Sequence, residues 1–516
     1  MLLNDFLRKS TELQPEKVAL IYRDKRITYT GIDEASNSLG NALILEGFKR
    51  HDRAIIYLDN STESIISIFA VLKAGGVFIP ISPQVKLNKF GHMINDCKPR
   101  LLITNKDNLA KISGNISNFK ELKWIIYIND GNFDTETVRT INTGILSYED
   151  ILEHSPRTII EQRCIDVDLA SLIYTSGSSG SPKCVMLNHL NMVSAATSVI
   201  SYLGNTSSDV IMNALPLSFS YGLYQVLMSF KFGGTVVVEK SFTYPQKIIE
   251  QVIAERVTGW PMVPSMIAIL FKLINLKKYD FPDLKYITSA GQVLPRAHAA
   301  MLRDSFPKTK IYSMYGLTEC KRVSYLDPAK IDEKPDSVGK AMPNVETYIV
   351  DSNGKEITRA REPGELVVRG SNVMQGYWNL PHETEKVLRQ GRYPTEKVLY
   401  TGDIFEKDEE GYLYFLGRKD DIIMTGGLKV SPKEVENVLC EKAGVIEAAV
   451  IGVEDEILGN VIKAFVVLEN KSKVSSDEIF EYCLEHLERH AVPKYVSFCK
   501  TLPKTNTGKI IKRNLK

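Results

Sequence analysis

The segment Leu172-Ile-Tyr-Thr-Ser-Gly-Ser-Ser-Gly-Ser-Pro-Lys183 sets small hydroxyl and glycine residues between a short apolar run and a lysine. Through Thr175, Ser176, Gly177, Ser178, Ser179 and Gly180 there is almost no side-chain bulk. Backbone N–H groups there can turn inward as an anion nest, the hydroxyls can donate hydrogen bonds, and Lys183 supplies a full positive charge. Such a loop suits a polyphosphate. Gly/Ser-rich composition also describes a flexible linker. A linker is flanked by polar sequence, however, whereas here Leu172-Ile-Tyr leads in and Val185-Met-Leu leads out, both strand-like. The spacing is not that of G-x-x-x-x-G-K-[ST], because Lys183 follows Gly180 by Ser-Pro and precedes Cys184. Thr507-Gly508-Lys509 fails the same pattern, with Ile510 where a hydroxyl should hold magnesium and Pro503 where the first glycine should stand.

Other segments make chemical sense beside a bound nucleotide. Tyr312-Ser-Met-Tyr315-Gly316-Leu-Thr318-Glu319 offers an aromatic face for a purine, a hydroxyl for a phosphate and a carboxylate able to hold Mg²⁺ against phosphates. Tyr400-Thr-Gly-Asp403 ends in a carboxylate that could accept hydrogen bonds from a ribose diol. Taken singly, each is equally a strand end carrying a solvated acid.

These residues need a scaffold. Strand-length apolar runs alternate with amphipathic helical stretches over most of the chain, the signature of α/β architecture. Thr235-Val-Val-Val predicts a buried strand, Pro245 opens a helix carrying Ile248, Ile249, Val252 and Ile253, and Lys310-Ile-Tyr-Ser-Met predicts a strand running into Tyr315. From about residue 345, shorter strands with Gly punctuation, such as Gly364-Glu-Leu-Val-Val-Arg-Gly, predict a small β-rich module. From Pro432 onward a helix, a strand over 447–453, a strand over 462–468 and a helix over 477–490 predict a compact α+β domain. The expected organisation is a large domain, 1–419, built from two α/β sheet subdomains and a small β-barrel-like module, followed by a small mobile α+β domain, 420–516, with the boundary at Asp420.

Composition narrows the function. With 516 residues the chain exceeds a single core, and 64 basic against 62 acidic side chains leave a net charge of +2, without a basic block for nucleic acid or a membrane surface. The most apolar stretch, 65–81, is interrupted by Lys73, Gly75, Gly76 and Pro80, so no membrane span is expected, and the N-terminal residues predict an amphipathic helix and not an export signal. Seven scattered cysteines with no C-x-x-C pair fit reduced thiols in the cytoplasm. Cys483, His486 and His490 could share a helix face as metal ligands, but Ile479, Phe480, Cys483, Leu484 and Leu487 form an apolar stripe that makes Cys483 a core residue.

In order and spacing, these motifs resemble the adenylate-forming superfamily of acyl-CoA synthetases, nonribosomal-peptide adenylation domains and firefly-type luciferases. The resemblance spans essentially the whole chain, from Ile27-Thr-Tyr-Thr and Leu72-Lys-Ala-Gly-Gly through Gly376-Tyr-Trp and Gly417-Arg418-Lys-Asp420 to Pro503-Lys-Thr-Asn-Thr-Gly-Lys509. It implies that Tyr315 stacks on adenine beside Gly291 and Gln292, and that Asp403 and Arg418 hold the ribose. It implies further that Thr318 touches the α-phosphate, that Glu319 ligates magnesium and that Lys509 bridges the substrate carboxylate and the α-phosphate. An ammonium is the right group for the oxygens on which charge accumulates. The resemblance also implies a hinge at Asp420, about which the C-terminal domain turns so that Met424-Thr-Gly-Gly-Leu replaces the lysine loop when the thiol enters.

The expected reaction is ATP-dependent, Mg²⁺-dependent activation of a small-molecule carboxylic acid as its acyl-adenylate, with transfer to the thiol of coenzyme A. The alternative acceptor is the phosphopantetheine of an acyl- or peptidyl-carrier protein. A nucleotide-binding sensor without turnover and an oxygenase acting on its own adenylate belong to other classes on the same fold. Departures from the family pattern bear on the acid. Cys184 replaces a glycine, and Phe219 replaces a frequent histidine. Ser220 stands where amino-acid-activating domains carry an aspartate. A serine cannot neutralise a buried ammonium, so an amino-acid substrate is disfavoured and the acid is expected to be uncharged beyond its carboxylate. Phe219, Ser220, Tyr221 and Trp260 are the expected acyl pocket.

Overall fold

The computed structural model describes residues 1–114, 119–129, 143–175, 182–419, 421–425, 428–455, 459–470, 472, 474–505, 508 and 510–515. Ser176, Gly177, Ser178, Ser179, Gly180, Asp420 and Lys509 lie outside the described residues.

Two largely parallel sheets form the bulk of the chain. In the eight-stranded sheet, Gly376–Tyr377, Lys183–Asn188 and Leu169–Thr175 precede Val77–Pro80, Arg53–Tyr57, Leu101–Asn105, Trp124–Ile128 and Gly144–Ser147. The nine-stranded sheet runs from Lys340–Ala341 through Ser324–Tyr325, Lys310–Tyr315, Tyr286–Ser289 and Gly259–Met262 to Val210–Asn213, Thr235–Val238, Val18–Tyr22 and Lys25–Thr28. Its central strands read as continuous apolar runs because both faces are covered: Val236, Val237 and Val238 are each wholly buried. Helix ends follow local chemistry. Asn188 and Asn191 form a reciprocal capping box at the start of the helix His189–Leu203, and Gly204 ends it in the left-handed region at φ 67°.

The β-rich module expected after residue 345 is a six-stranded antiparallel sheet in which Lys397–Lys407 pairs with Gly364–Gly370, Leu388–Gln390 and Leu413–Arg418. The C-terminal α+β region carries a five-stranded sheet whose long hairpin pairs Val445–Asp455 with Gly459–Leu468. Among the described residues no helix is long and apolar enough to cross a membrane, and the stretch over 65–81 divides into the helix Thr62–Lys73 and the strand Val77–Pro80.

Two expectations change. The last helix ends at His486, where Leu487 turns extended, and His490 sits in a separate short turn with Glu488 as its partner. Cys483 and His490 therefore do not share a helix, and Cys483 is fully buried in the domain core. No group of three metal-ligating residues occurs among the described residues. The apolar stripe is itself only half buried, since Phe480 and Leu484 are exposed.

Candidate functional site

Ligand sites in α/β sheets form beyond the carboxyl ends of the parallel strands, and in the nine-stranded sheet four such ends converge. Val210–Asn213 leads to Phe219, Gly259–Met262 to Val263 and Ser265, Tyr286–Ser289 to Gly291 and Gln292, and Lys310–Tyr315 to Gly316 and Glu319. Gly291 has φ 90°, and a Cβ placed on it would lie 3.5 Å from the Phe219 ring and 3.7 Å from Val263. Only glycine serves this close left-handed turn.

Three residues far apart in sequence form the polar wall. The Tyr315 hydroxyl donates to Asp403 Oδ2 at 2.5 Å, and Arg418 Nη1 donates to Asp403 Oδ1 at 2.6 Å. Asp403 and Arg418 are cross-strand partners in the antiparallel module, which sets their register, and Asp403 is only 4% exposed. The Tyr315 ring packs edge-on against Phe405 at 4.8 Å between centroids. Burial, then the Asp403 charge, push the Tyr315 phenol well above its usual range, so it stays a donor. The guanidinium of Arg418 is held above its ordinary value: burial opposes this, and the Asp403 carboxylate outweighs it.

Glu319 faces the eight-stranded sheet. Its Oε1 accepts from the Tyr377 hydroxyl at 2.8 Å, and its backbone carbonyl accepts from Met374 N at 2.7 Å. Across that sheet Thr175 pairs with Lys183, whose Nζ lies 5.1 Å from the Tyr377 ring centroid and donates to Glu383 Oε2 at 2.7 Å. The hairpin thus brings the phosphate-loop lysine beside the proposed magnesium carboxylate. A partly exposed carboxylate is a hard oxygen donor of the kind Mg²⁺ uses when substrate phosphates complete its shell.

Sequence reasoning missed Glu383 and gave Tyr377 no role beyond its place in Gly376-Tyr-Trp. Glu383 is 200 positions from Lys183, and no local signal joins them. Lys183 and then Lys386 pull the Glu383 acid down from 4.5 to about 2. A depressed carboxyl pKa means that the ion pair is complete above pH 4.5 and is lost only as the pH falls toward 2. Replacing Glu383 with glutamine is expected to release Lys183 for a triphosphate and lower the KM for ATP about threefold, the modest size of a half-exposed pair. Steady-state kinetics at varied ATP check this, and a raised KM would mean that Glu383 orders the lysine and does not compete for it.

The C-terminal region reaches the same place. Gln292 Nε2 donates to the Gly508 carbonyl at 3.3 Å, and a Cβ on Gly508, at φ 82°, would meet Ser265 Oγ at 2.4 Å. Gly508, Gln292 and Ser265 therefore touch at the strand ends beside Phe219. Thr318 is half-buried next to Glu319.

The expected acyl pocket is only partly assembled. Phe219 and Tyr221 meet edge-on at 6.2 Å, and Tyr221 donates its hydroxyl to Thr288 O at 3.0 Å. Trp260, by contrast, is wholly buried, with the mutually packed rings of Phe306 and Phe281 at 6.4 and 6.5 Å. Cys184, also wholly buried, is a small core residue of the hairpin.

Fold and site define an adenylate-forming enzyme class, and the comparisons agree. The AMP-binding enzyme family matches residues 7–378, and its C-terminal domain matches residues 434–509. The chain belongs to this AMP-binding enzyme family of the adenylate-forming superfamily. It is 29% identical to a long-chain-fatty-acid–CoA ligase of Bacillus subtilis, over 99% of this chain and 94% of that protein. It is 28% identical to an indoleacetate–CoA ligase of Aromatoleum aromaticum, over 100% and 98%. The o-succinylbenzoate coenzyme A synthetase of Bacillus subtilis, solved in complex with ATP and magnesium ion, superposes with a TM-score of 0.84 at 27% identity, over 99% of this chain and 98% of that one.

Proposed function

We propose that this protein is an AMP-forming acid–thiol ligase that uses ATP and Mg²⁺ to activate a carboxylic acid and passes the acyl group to coenzyme A. The observation that carries this is the meeting of Gly508 with Gln292 and Ser265, because it seats the residue before Lys509 on the segments that follow Gly259–Met262 and Tyr286–Ser289, beside the strand that ends in Tyr315.

In this proposal Asp403, held by Tyr315 and Arg418, accepts from the ribose hydroxyls, and the exposed part of the Tyr315 ring covers the adenine. Residues 175–183 hold the β- and γ-phosphates, with Lys183 exchanging Glu383 for phosphate oxygen. Glu319 and the phosphates would hold Mg²⁺, which would neutralise charge on the departing pyrophosphate. Lys509 draws the acid's carboxylate and the α-phosphate together and meets the charge that grows as the carboxylate oxygen attacks phosphorus. Thr318 donates to the α-phosphate. The part 420–516 then turns relative to 1–419 about Asp420, so that the segment 424–428 replaces the Lys509 loop and the thiol enters the space the lysine occupied.

Coenzyme A as acceptor is supported by the relatives, which are named as CoA ligases. A cytoplasmic location follows as a proposal from the seven scattered cysteines. Carboxylate-dependent exchange of pyrophosphate into ATP, followed by AMP release on adding coenzyme A, tests the whole reading. Exchange without any response to free coenzyme A would point to a carrier protein, and no exchange with any acid would overturn the adenylation step.

A further inference from the structure

Immediately after Glu319 and Cys320 the chain buries two consecutive cations. Lys321 is 5% and Arg322 3% exposed. Among the described residues neither has a carboxylate at ion-pair distance. Lys321 Nζ donates to the Ser220 carbonyl at 2.9 Å and lies 4.1 Å from the Tyr224 ring centroid. The Arg322 guanidinium lies 5.0 Å from the Tyr221 ring centroid, and its buried Nε has no hydrogen-bond partner. Ser289 Oγ, on the strand that leads to Gly291, is likewise buried without a partner. Lys321 takes the left-handed backbone at φ 61°, unusual for a side chain of its size, so the turn is held there by its surroundings.

An aromatic ring face offsets only part of the cost of burying a cation, and a buried charge without a counter-charge is among the most expensive features a core can hold. The pair stands one ring behind Phe219, at the start of the helix Ser220–Phe232, whose N-terminal N–H groups add positive potential. Among the described residues no carboxylate at ion-pair distance offsets this concentration of positive charge, whereas an anion delivered by the substrate would.

We propose that Arg322 and Lys321 select an acid that carries a second anionic group, such as a distal carboxylate, held against Tyr221 while the reacting carboxylate faces Gly508. This rests on the ligase reading above and deepens it. It replaces the expectation, drawn from Ser220 alone, of an acid without further charge. Ser220 fails to hold an ammonium, and the two cations behind it repel one.

Matched acids of one carbon skeleton, with and without a distal carboxylate, test this by pyrophosphate exchange. The wild-type kcat/KM should favour the doubly anionic member by about 100-fold, the size expected when one partner of a buried charge pair is missing. Arg322→Met should erase that preference while leaving the singly charged acids and the KM for ATP within about threefold, since apolar replacement of a buried charge is commonly tolerated by the fold. Should that variant not fold, the wild-type comparison and Lys321→Met decide. A wild-type preference for the singly charged acid in every pair, or an equal loss for both acids in Arg322→Met, would overturn the proposal. No exchange with any acid would overturn the ligase reading itself, whereas brisk exchange without the preference removes this inference alone.

Discussion

Lys509→Ala is expected to lower carboxylate-dependent pyrophosphate exchange by about a thousandfold, or about 4 kcal/mol of transition-state stabilisation. Thioester formation from a synthetic acyl-adenylate should stay within about threefold of wild type, because that step follows removal of the lysine. The asymmetry comes from charge. In the proposed mechanism, attack on the α-phosphate gathers negative charge between two anions, and the Lys509 ammonium meets it. The Gly508 turn's access is already visible in the Gln292 contact with the Gly508 carbonyl and the approach to Ser265. Quenched-flow measurement of the two half-reactions checks the result. Equal losses in both would show that Lys509 serves the fold or both steps alike, and the domain alternation would have to be abandoned.

Asp403→Asn carries the second largest effect. The carboxylate accepts from Tyr315 and Arg418 at once, and an amide would turn its NH₂ against one of these donors. A loss of about 30-fold in the KM for ATP is expected from one charged hydrogen bond, with kcat changed less than threefold and the melting temperature lowered by a few degrees. A purely structural aspartate would show the thermal shift with an unchanged KM, so calorimetry and ATP kinetics together separate the two roles.

Much of the scaffold was legible locally. The strand Thr235–Val238 and the helix opening at Pro245 occur as their side chains predict, because an all-β-branched run suits a doubly covered strand and proline suits a first helical turn. The last helix was overextended by four residues, since periodicity continued past His486 while Leu487 left the helical region. The surroundings of Trp260 were not legible for a related reason. An aromatic residue near a strand end looks alike in sequence whether it faces a pocket or the layer beneath, and only its packing on Phe281 and Phe306 decides.

By itself the sequence determined the order of the motifs, the small-residue character of residues 175–181, and the acid, base and ring types available for nucleotide chemistry. These depend on near neighbours in the chain, where side-chain size and backbone freedom act over a few residues. The tertiary structure alone decided the partners: Asp403 with Tyr315, Lys183 with Glu383, Gly508 with Gln292, and Arg322 buried against Tyr221 with no ion-pair partner among the described residues. Each of these joins separate sheets, modules or loops, and electrostatic and packing energies fall off over a few ångströms of space with no regard to distance along the chain.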